Sequence, residues 1–501
     1  MAGVDLGAVV AAAIGAVGGG LATGVGGFLR ERSGARTAAR LIYGELTRNG
    51  APVAYFRASG IWPATSLTYT AWDRHARELA QMRRSATFEA ARSGYAALEA
   101  IHYIASGADL GEPYRGRLLE RAVGDLAAAL RATGEVARIP RGSLDGVLRP
   151  LTRAAPTADP PAPVLAAGGL VPPMILTGML DRGNVEQQLS AARSRLPAEA
   201  LRHPALPAQS VTGGQRFAVY DAGHQENLDA VTLLRATGDP PVGDPVVDDA
   251  YEAMVATSEF ARKVLGRDSL TGGTEPLSAV VHYGRGFNNA FWNGQLVVVG
   301  DGDDVAFRSF TNLDILAHEL FHSVPEIGTL SFYGQSGSLV ESICDVFGAL
   351  VVQHHLGQTA EEASWVLGEN MFTENIKGIG LRSLKAPGTA YDDPVLGKDP
   401  QGAHMDDFND TTNDNGGVHI NCGIPSHAFY RLAVALGGYA WERAGLIWYD
   451  AATSHPDTTE LDFATFARRT IAAAERRYGP GGDELRETEN AWNAVGVRPA
   501  P

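Results

Sequence analysis

Cysteine is nearly absent: Cys344 and Cys422 are the only two in 501 residues. One pair cannot build a disulfide framework. The two read either as small buried residues or as thiols that face each other across two helices and pair when oxidised. Lysine is missing from the first 155 residues, where 19 arginines stand against 13 acidic residues, a net of +6. The whole chain is at −15, so the remainder carries −21. That split marks a separate N-terminal module, and the acidic balance excludes nucleic acid as the main partner. Charge is missing altogether from Leu6 to Leu29. This run is long enough to span a bilayer, and Gly15/Gly19 and Gly20/Gly24 repeat at a spacing that suits close helix packing in lipid. Arg30, Arg32, Arg36 and Arg40 follow it, which would leave its C-terminal side cytoplasmic. No basic leader precedes it, and Asp5 stands where one belongs, so a cleavable signal peptide fits poorly. A membrane helix over 6–29 is therefore expected, with a soluble Gly/Ala helix as its rival.

What is present centres on Asp314-Ile-Leu-Ala-His-Glu-Leu-Phe-His322. On a helix His318 and His322 lie one above the other, aimed at one point, as two ligands of a tetrahedral zinc must be. Glu319 lies beside that face, within reach of a metal-bound water but not of the metal, as a general base should. Apolar Leu316, Ala317, Leu320 and Phe321 interleave with these residues, so the helix should be buried. Buried histidines beside a carboxylate are costly unless something satisfies them. A third ligand is expected downstream, and Glu341 supplies it. Asp345, one helical turn further on, would accept a hydrogen bond from the far nitrogen of a ligating histidine. Three ligands with an open fourth position describe a catalytic zinc.

Around this centre the chain divides into five stretches. Residues 1–153 form a mostly helical module, with apolar residues at three-to-four spacing in 38–46, 79–103 and 118–130. Residues 154–167 are a Pro/Ala-rich linker. Residues 168–215 hold a short apolar segment and a polar helical stretch to about Leu196. Residues 216–350 are rich in strands, expected from Phe217, over Ser278–Tyr283 and over Gln295–Val299, with a helix over Tyr251–Leu265 and a turn-rich Asn288–Gly294. Residues 351–501 are expected to be mostly helical. Strands first and helices later give an α+β arrangement with a cleft between two lobes.

Four segments, Asn288-Asn-Ala-Phe-Trp-Asn-Gly294, His318-Glu-Leu-Phe-His322, Glu341-Ser-Ile-Cys-Asp-Val-Phe-Gly348 and Asp414-Asn-Gly-Gly-Val-His-Ile-Asn-Cys-Gly423, appear in the order of the thermolysin family of zinc metallopeptidases, which the chain resembles from about Arg216 to its end. The resemblance implies a thermolysin-like two-lobe fold: a β-rich N-lobe, a helical C-lobe and the zinc helix between them. It implies His318, His322 and Glu341 as zinc ligands and Glu319 as the base. His419 would donate a hydrogen bond to the developing oxyanion, with Asp414 holding its ring. Arg382 would grip a substrate carbonyl. Asn289 and the Ala290 carbonyl would align the substrate backbone. Ile315, Leu381 and Phe310 would line the pocket for the residue after the scissile bond, favouring a bulky apolar side chain there.

The chain also departs from that pattern. Phe332 stands where the family has a tyrosine near the oxyanion, with Tyr333 one place on. Val340 replaces an asparagine before the third ligand. Of the carboxylates that hold the family's double calcium site, Asp314 and Glu369 remain, while Val352 and Ser364 replace others. Two oxygen ligands are too few for tight calcium, so little or none is expected. Pro172-Pro-Met-Ile-Leu176 resembles the short propeptide of the protealysin branch, which implies packing into the cleft and removal near Gln215–Val219. The expected activity is a zinc-dependent neutral endopeptidase that cleaves on the amino side of bulky hydrophobic residues and is made as an autoprocessed precursor. Its partners would be peptides and proteins, and a membrane through 6–29. It would be membrane-associated with the peptidase in the cytoplasm, or secreted as much of the family is. The rival is a catalytically silent thermolysin-like domain that serves binding or envelope structure.

Overall fold

Helical periodicity in the N-terminal third becomes five helices in a computed structural model that describes residues 30–59, 62–63, 66–80, 85–107, 112–152, 169–195, 216–454 and 460–498. The segment 6–29 lies outside the described residues. The described chain forms two compact units. One holds 30–152 and 183–189; the other holds 169–182 and 190–498.

In the first unit α1 (Arg30–Ser59), α2 (Thr70–Ala80), α3 (Ser85–Ala105), α4 (Glu112–Ala137) and α5 (Arg141–Thr152) pack side by side. Ala39, Ile42, Leu46 and Val53 recur on one face of α1 and are wholly buried. Gly94 lets α3 approach α4: a Cβ there would lie 2.3 Å from that of Ala129. Among the unit's described residues Glu45 is the buried carboxylate. It accepts hydrogen bonds from the Ala71 and Trp72 amides and from the Tyr95 hydroxyl. The two amides belong to the first turn of α2, which has no intrahelical acceptors for them, so Glu45 acts as a cap supplied from another helix. Leu79 lies in the last turn of α2, so the apolar stretch expected from Leu79 to Tyr103 is divided between α2 and α3.

The second unit begins with α6 (Pro173–Arg182); α7 (Val185–Arg193), next in the chain, is divided between the two units after Leu189. A five-stranded sheet comes next, built of β1 (Phe217–Asp221), β2 (Thr232–Ala236), β3 (Leu277–Val281), β4 (Ala290–Trp292) and β5 (Val297–Val299). Its order is β2-β1-β3-β5-β4, with β1, β3 and β5 parallel and the two outer strands antiparallel. Tyr220, Val280 and Val298 alternate onto one face, where they meet Tyr283, Phe287 and Phe291. Helix α8 (Pro245–Val264) packs on β1 and β3. It starts six residues before the expected Tyr251, because Asp244 caps the Val246 amide and Pro245 takes the first helical position. β3 stops at Val281 rather than Tyr283, since His282 turns left-handed at φ 53°. The turn-rich stretch 288–294 contains an edge strand, β4.

Beyond the sheet come α9 (Leu313–Phe321), the single turn α10 (Pro325–Gly328) and α11 (Gly334–Leu356). Helix α11 is long and apolar enough to cross a membrane but lies buried within its own unit, continuous across residue 350. Residues 357–413 are not helical as expected, apart from one 3-10 turn at Met405–Asp407. They form loops with two short ribbons, β6 (Val366–Leu367) with β7 (Arg382–Ser383) and β8 (Asp392–Asp393) with β9 (Gly397–Lys398). Helices return in α12 (Asp414–Asn421), α13 (Gly423–Leu436), α14 (Ala444–Thr453), α15 (Phe463–Tyr478) and α16 (Asp483–Ala494).

Candidate active site

The histidine pair sits on α9 and Glu341 on α11, and these two helices pack closely. Phe321 and Phe347 stack across them with centroids 4.6 Å apart. Gly348 permits the approach, because a Cβ there would lie 2.7 Å from the Asp314 carbonyl oxygen. The result is a convergent donor set. His318 Nε2 and His322 Nε2 are 3.2 Å apart; Glu341 Oε2 lies 3.5 Å from the first and Oε1 3.6 Å from the second. Zinc bound by nitrogen and oxygen at about 2.0–2.2 Å at tetrahedral angles requires donor separations of about 3.3–3.6 Å. Glu341 Oε2 is buried without a hydrogen bond. A buried carboxylate oxygen left in that state costs about 1–3 kcal/mol or more unless a cation takes it. The donor set therefore fits zinc.

The neighbours are arranged to support those donors. His318 Nδ1 lies 2.8 Å from Asp345 Oδ1, a charge contact that favours a proton on Nδ1 and leaves Nε2 to ligate. Arg382 grips Asp345 with a two-pronged contact, Nε to Oδ2 at 2.7 Å and Nη2 to Oδ1 at 2.8 Å. Burial works against ionisation of Asp345, but Arg382 and His318 outweigh it and hold the carboxyl at about 2. At His322 burial wins and lowers the imidazole to about 4, so it is neutral and able to ligate. Burial raises Glu319 to about 7, with Glu341 adding to the effect and His318 opposing it. One Glu319 oxygen, Oε2, accepts the Trp292 amide at 2.7 Å, while Oε1 has no hydrogen bond.

His419 approaches from α12. Asp414, Asn415, Gly416 and Gly417 are all left-handed, so regular helix begins only at Val418. This turn folds Asp414 back onto the next helical turn, where its carboxylate takes His419 Nδ1 at 2.6 Å and the His419 amide at 2.8 Å. Gly416 and Gly417 make such a run of positive φ affordable. Burial opposes protonation of the ring, but Asp414 and Glu341 overcome it and raise His419 to about 9. Its Nε2 has no hydrogen bond and lies 3.4 Å from Glu341 Oε2. Gln401 holds the His419 carbonyl at 2.9 Å. Nothing in its surrounding pattern marked Gln401 in the sequence.

The chain's own residues 169–171 lie in the cleft. The Leu170 amide donates to the Ala290 carbonyl at 2.9 Å, the Val171 amide to Asn289 Oδ1 at 2.9 Å, and Arg382 Nη1 to the Leu170 carbonyl at 2.9 Å. The open remainder is a cleft of about 680 Å³ lined by Trp292, Glu319, His322, Ile327, Phe332 and Glu341 among others. Ile315, Leu381 and Phe310, expected around the residue after the scissile bond, are fully buried and do not line this open part. The apolar wall of the open part comes instead from Phe291, Ile327, Leu330, Phe332 and Val340. Phe332 packs edge-on to both His322 and His419, while Tyr333 is largely exposed. Asp314 is occupied internally, accepting the Gly368 and Ile315 amides. Cys344 and Cys422 are free, buried thiols, so they are not paired. Burial pushes both thiols well up, and Cys422 donates to the His419 carbonyl.

Comparison with known proteins places this geometry. The family description "Thermolysin metallopeptidase, catalytic domain" matches residues 214–326, and "Thermolysin metallopeptidase, alpha-helical domain" matches 328–497. The chain belongs to the thermolysin metallopeptidase family. It is 44% identical over 335 residues to an extracellular metalloprotease of Pectobacterium carotovorum subsp. carotovorum, covering 66% of this chain and 96% of that one. It is 43% identical to protease PrtS of Photorhabdus sp. (strain Az29), covering 66% of this chain and 92% of that one. A solved structure, the precursor of the metalloproteinase protealysin from Serratia proteamaculans, matches with a TM-score of 0.61 at 43% identity, covering 66% of this chain and all of that one. Membership of this zinc-dependent family makes the chain a neutral metalloendopeptidase formed as a precursor.

Proposed function

We propose that His318, His322 and Glu341 hold one catalytic zinc, and that Glu319, His419 and Asp414 carry out peptide hydrolysis beside it. The observation that carries this reading is the convergence of two imidazole nitrogens and the Glu341 carboxylate at separations of 3.2–3.6 Å, where Glu341 Oε2 and Glu319 Oε1 are buried without hydrogen bonds. When bound there, zinc supplies Lewis acidity: it polarises the carbonyl and lowers the pKa of water to about 7. Glu319, fixed through Oε2 by the Trp292 amide, uses Oε1 to take a proton from the attacking water and then hands it to the departing amine. His419 donates from Nε2 to the charge that grows on the carbonyl oxygen, and Asp414 keeps its ring aligned and protonated. Arg382, Asn289 and the Ala290 carbonyl bracket the substrate backbone as they bracket 169–171.

Leu170 is fully buried where this bracket grips both its amide and its carbonyl. That supports cleavage on the amino side of bulky hydrophobic residues, with Ile315 and Leu381 behind the position. Residues 168–215 act as the propeptide, placed after an N-terminal helical module 1–153 and a linker 154–167, with peptidase lobes at 216–350 and 351–501. The removal point lies at Gln215 or upstream, because Phe217–Val219 are central in the sheet and a cut there would disrupt it. Calcium has no role in this reading, because both oxygens of Asp314 already accept backbone amides. The Pectobacterium relative and a 37% identical Serratia marcescens relative are named extracellular, which supports export of the peptidase. Fractionation of the full chain against one starting at Pro160 separates secretion from anchoring through 6–29. Metal analysis with cleavage of a blocked Gly-Leu peptide tests the site: one zinc and chelator-sensitive turnover are expected. Zinc retained after Glu341→Ala would overturn the ligand assignment.

A further inference from the structure

Strands β1, β3 and β5 run parallel in adjacent positions, so their C-terminal ends meet at one edge of the sheet. The residues just past those ends are His224, His282 and Asp301. Asp301 Oδ2 lies 2.9 Å from His282 Nδ1 and 3.3 Å from His224 Nδ1. The three ligand atoms all fall within 4.8 Å of one another. The His224 amide donates to the His282 carbonyl at 2.8 Å, which ties the two loops together. His224 and His282 are both left-handed, at φ 59° and 53°, an uncommon conformation for residues other than glycine.

We infer that His224, His282 and Asp301 form a second site for a divalent transition-metal cation, zinc by its donor set, outside the peptidase cleft. Two imidazoles and a carboxylate with an open fourth position suit zinc, and soft-ligand or all-oxygen cations fit this set poorly. His282 Nδ1 pairs with both Asp301 oxygens at 2.9–3.0 Å, closer than two ligands of one zinc, so the loops would part by a few tenths of an ångström to admit the ion. His282 Nε2 lies 3.2 Å from Asp244 Oδ2, the outer carboxylate that orients metal-binding histidines through their far nitrogen. Asp244 is itself fixed as the cap of α8 through its other oxygen. Asp221 adds a third carboxylate to the surroundings of His282. None of these residues lines the peptidase cleft. Bound here, the ion clips three strand ends and the start of α8, a structural role in the β-rich lobe.

The test uses the full chain carrying Glu319→Gln, which prevents self-cleavage, loaded with one equivalent of zinc. Titration with further Zn²⁺, followed by calorimetry, is expected to show a second, weaker equivalent. It should also raise Tm by about 5 °C at saturation. His224→Gly and His282→Gly, which remove the imidazoles yet keep a residue suited to the left-handed backbone, should each weaken that second equivalent by at least about tenfold while leaving the first intact. Cobalt in the second site should give tetrahedral absorption bands that both variants lose. No second equivalent in the parent, or one that survives both substitutions, would overturn the proposal.

Discussion

Glu45 in the helical unit and Glu319 in the peptidase unit are equally removed from solvent, at 0% and 2% exposure, yet they are surrounded differently. Glu45 meets two backbone amides and a tyrosine hydroxyl, all fixed by the packing of three helices. Glu319 has one oxygen on the Trp292 amide and the other on nothing. A satisfied buried carboxylate holds a fold together. One left half-satisfied stores an unfavourable energy that only a substrate, water or ion can relieve. The contrast separates a structural acid from a chemical one where burial alone does not.

The strongest way to break the comparison is to neutralise Glu319. Glu319→Gln keeps the shape and the Trp292 contact and should lower kcat by about 10²–10⁴-fold with zinc content unchanged, read by peptide cleavage and metal analysis. Next comes the donor on the far side of the cleft. His419→Ala should cost about 10²–10³-fold in kcat with little change in KM, because its contact forms as charge develops. Glu45→Ala should do the opposite. It should leave kcat of the mature peptidase untouched and destabilise the helical unit by about 1–3 kcal/mol, measured by denaturant unfolding of the full chain. Lost turnover in that variant would erase the distinction.

Asp345 sharpens the comparison from inside the catalytic unit, since it too is fully partnered. Its folded value of about 2 lies below the ordinary 3.8. Its contribution to stability is therefore fully present above pH 3.8 and lost as pH falls through 2, about 2 kcal/mol in all. Asp345→Asn should flatten that acid limb in unfolding experiments between pH 5 and pH 2, the smallest of these effects.

Much of the site was legible because its residues obey local spacing. His318 and His322 lie one turn apart, and Glu341 and Asp345 likewise. The fold class was legible too, from strand-like alternation before residue 300 and helical spacing in 35–151. The misreadings have different causes. The loops of 357–413 are shaped by contacts distant in sequence, such as the Phe307–Phe372 bridge. Strand β4 pairs with β5 only a few residues on, but its three residues are too few for an alternation to register. Ile315, Leu381 and Phe310 are fully buried, and the open cleft is walled by Ile327, Leu330 and Phe332. Which apolar residues face a cleft depends on how the lobe packs, and periodicity does not record that.

The sequence by itself determined the donor types, their helical phase and the family pattern, because a helix repeats every 3.6 residues wherever it sits. Tertiary structure alone decided that Arg382 locks Asp345 while holding Leu170, that Trp292 and Gln401 support the site, and that His224, His282 and Asp301 meet. Those contacts join residues up to 212 positions apart, and their geometry comes from packing between elements, where local backbone preference has no reach.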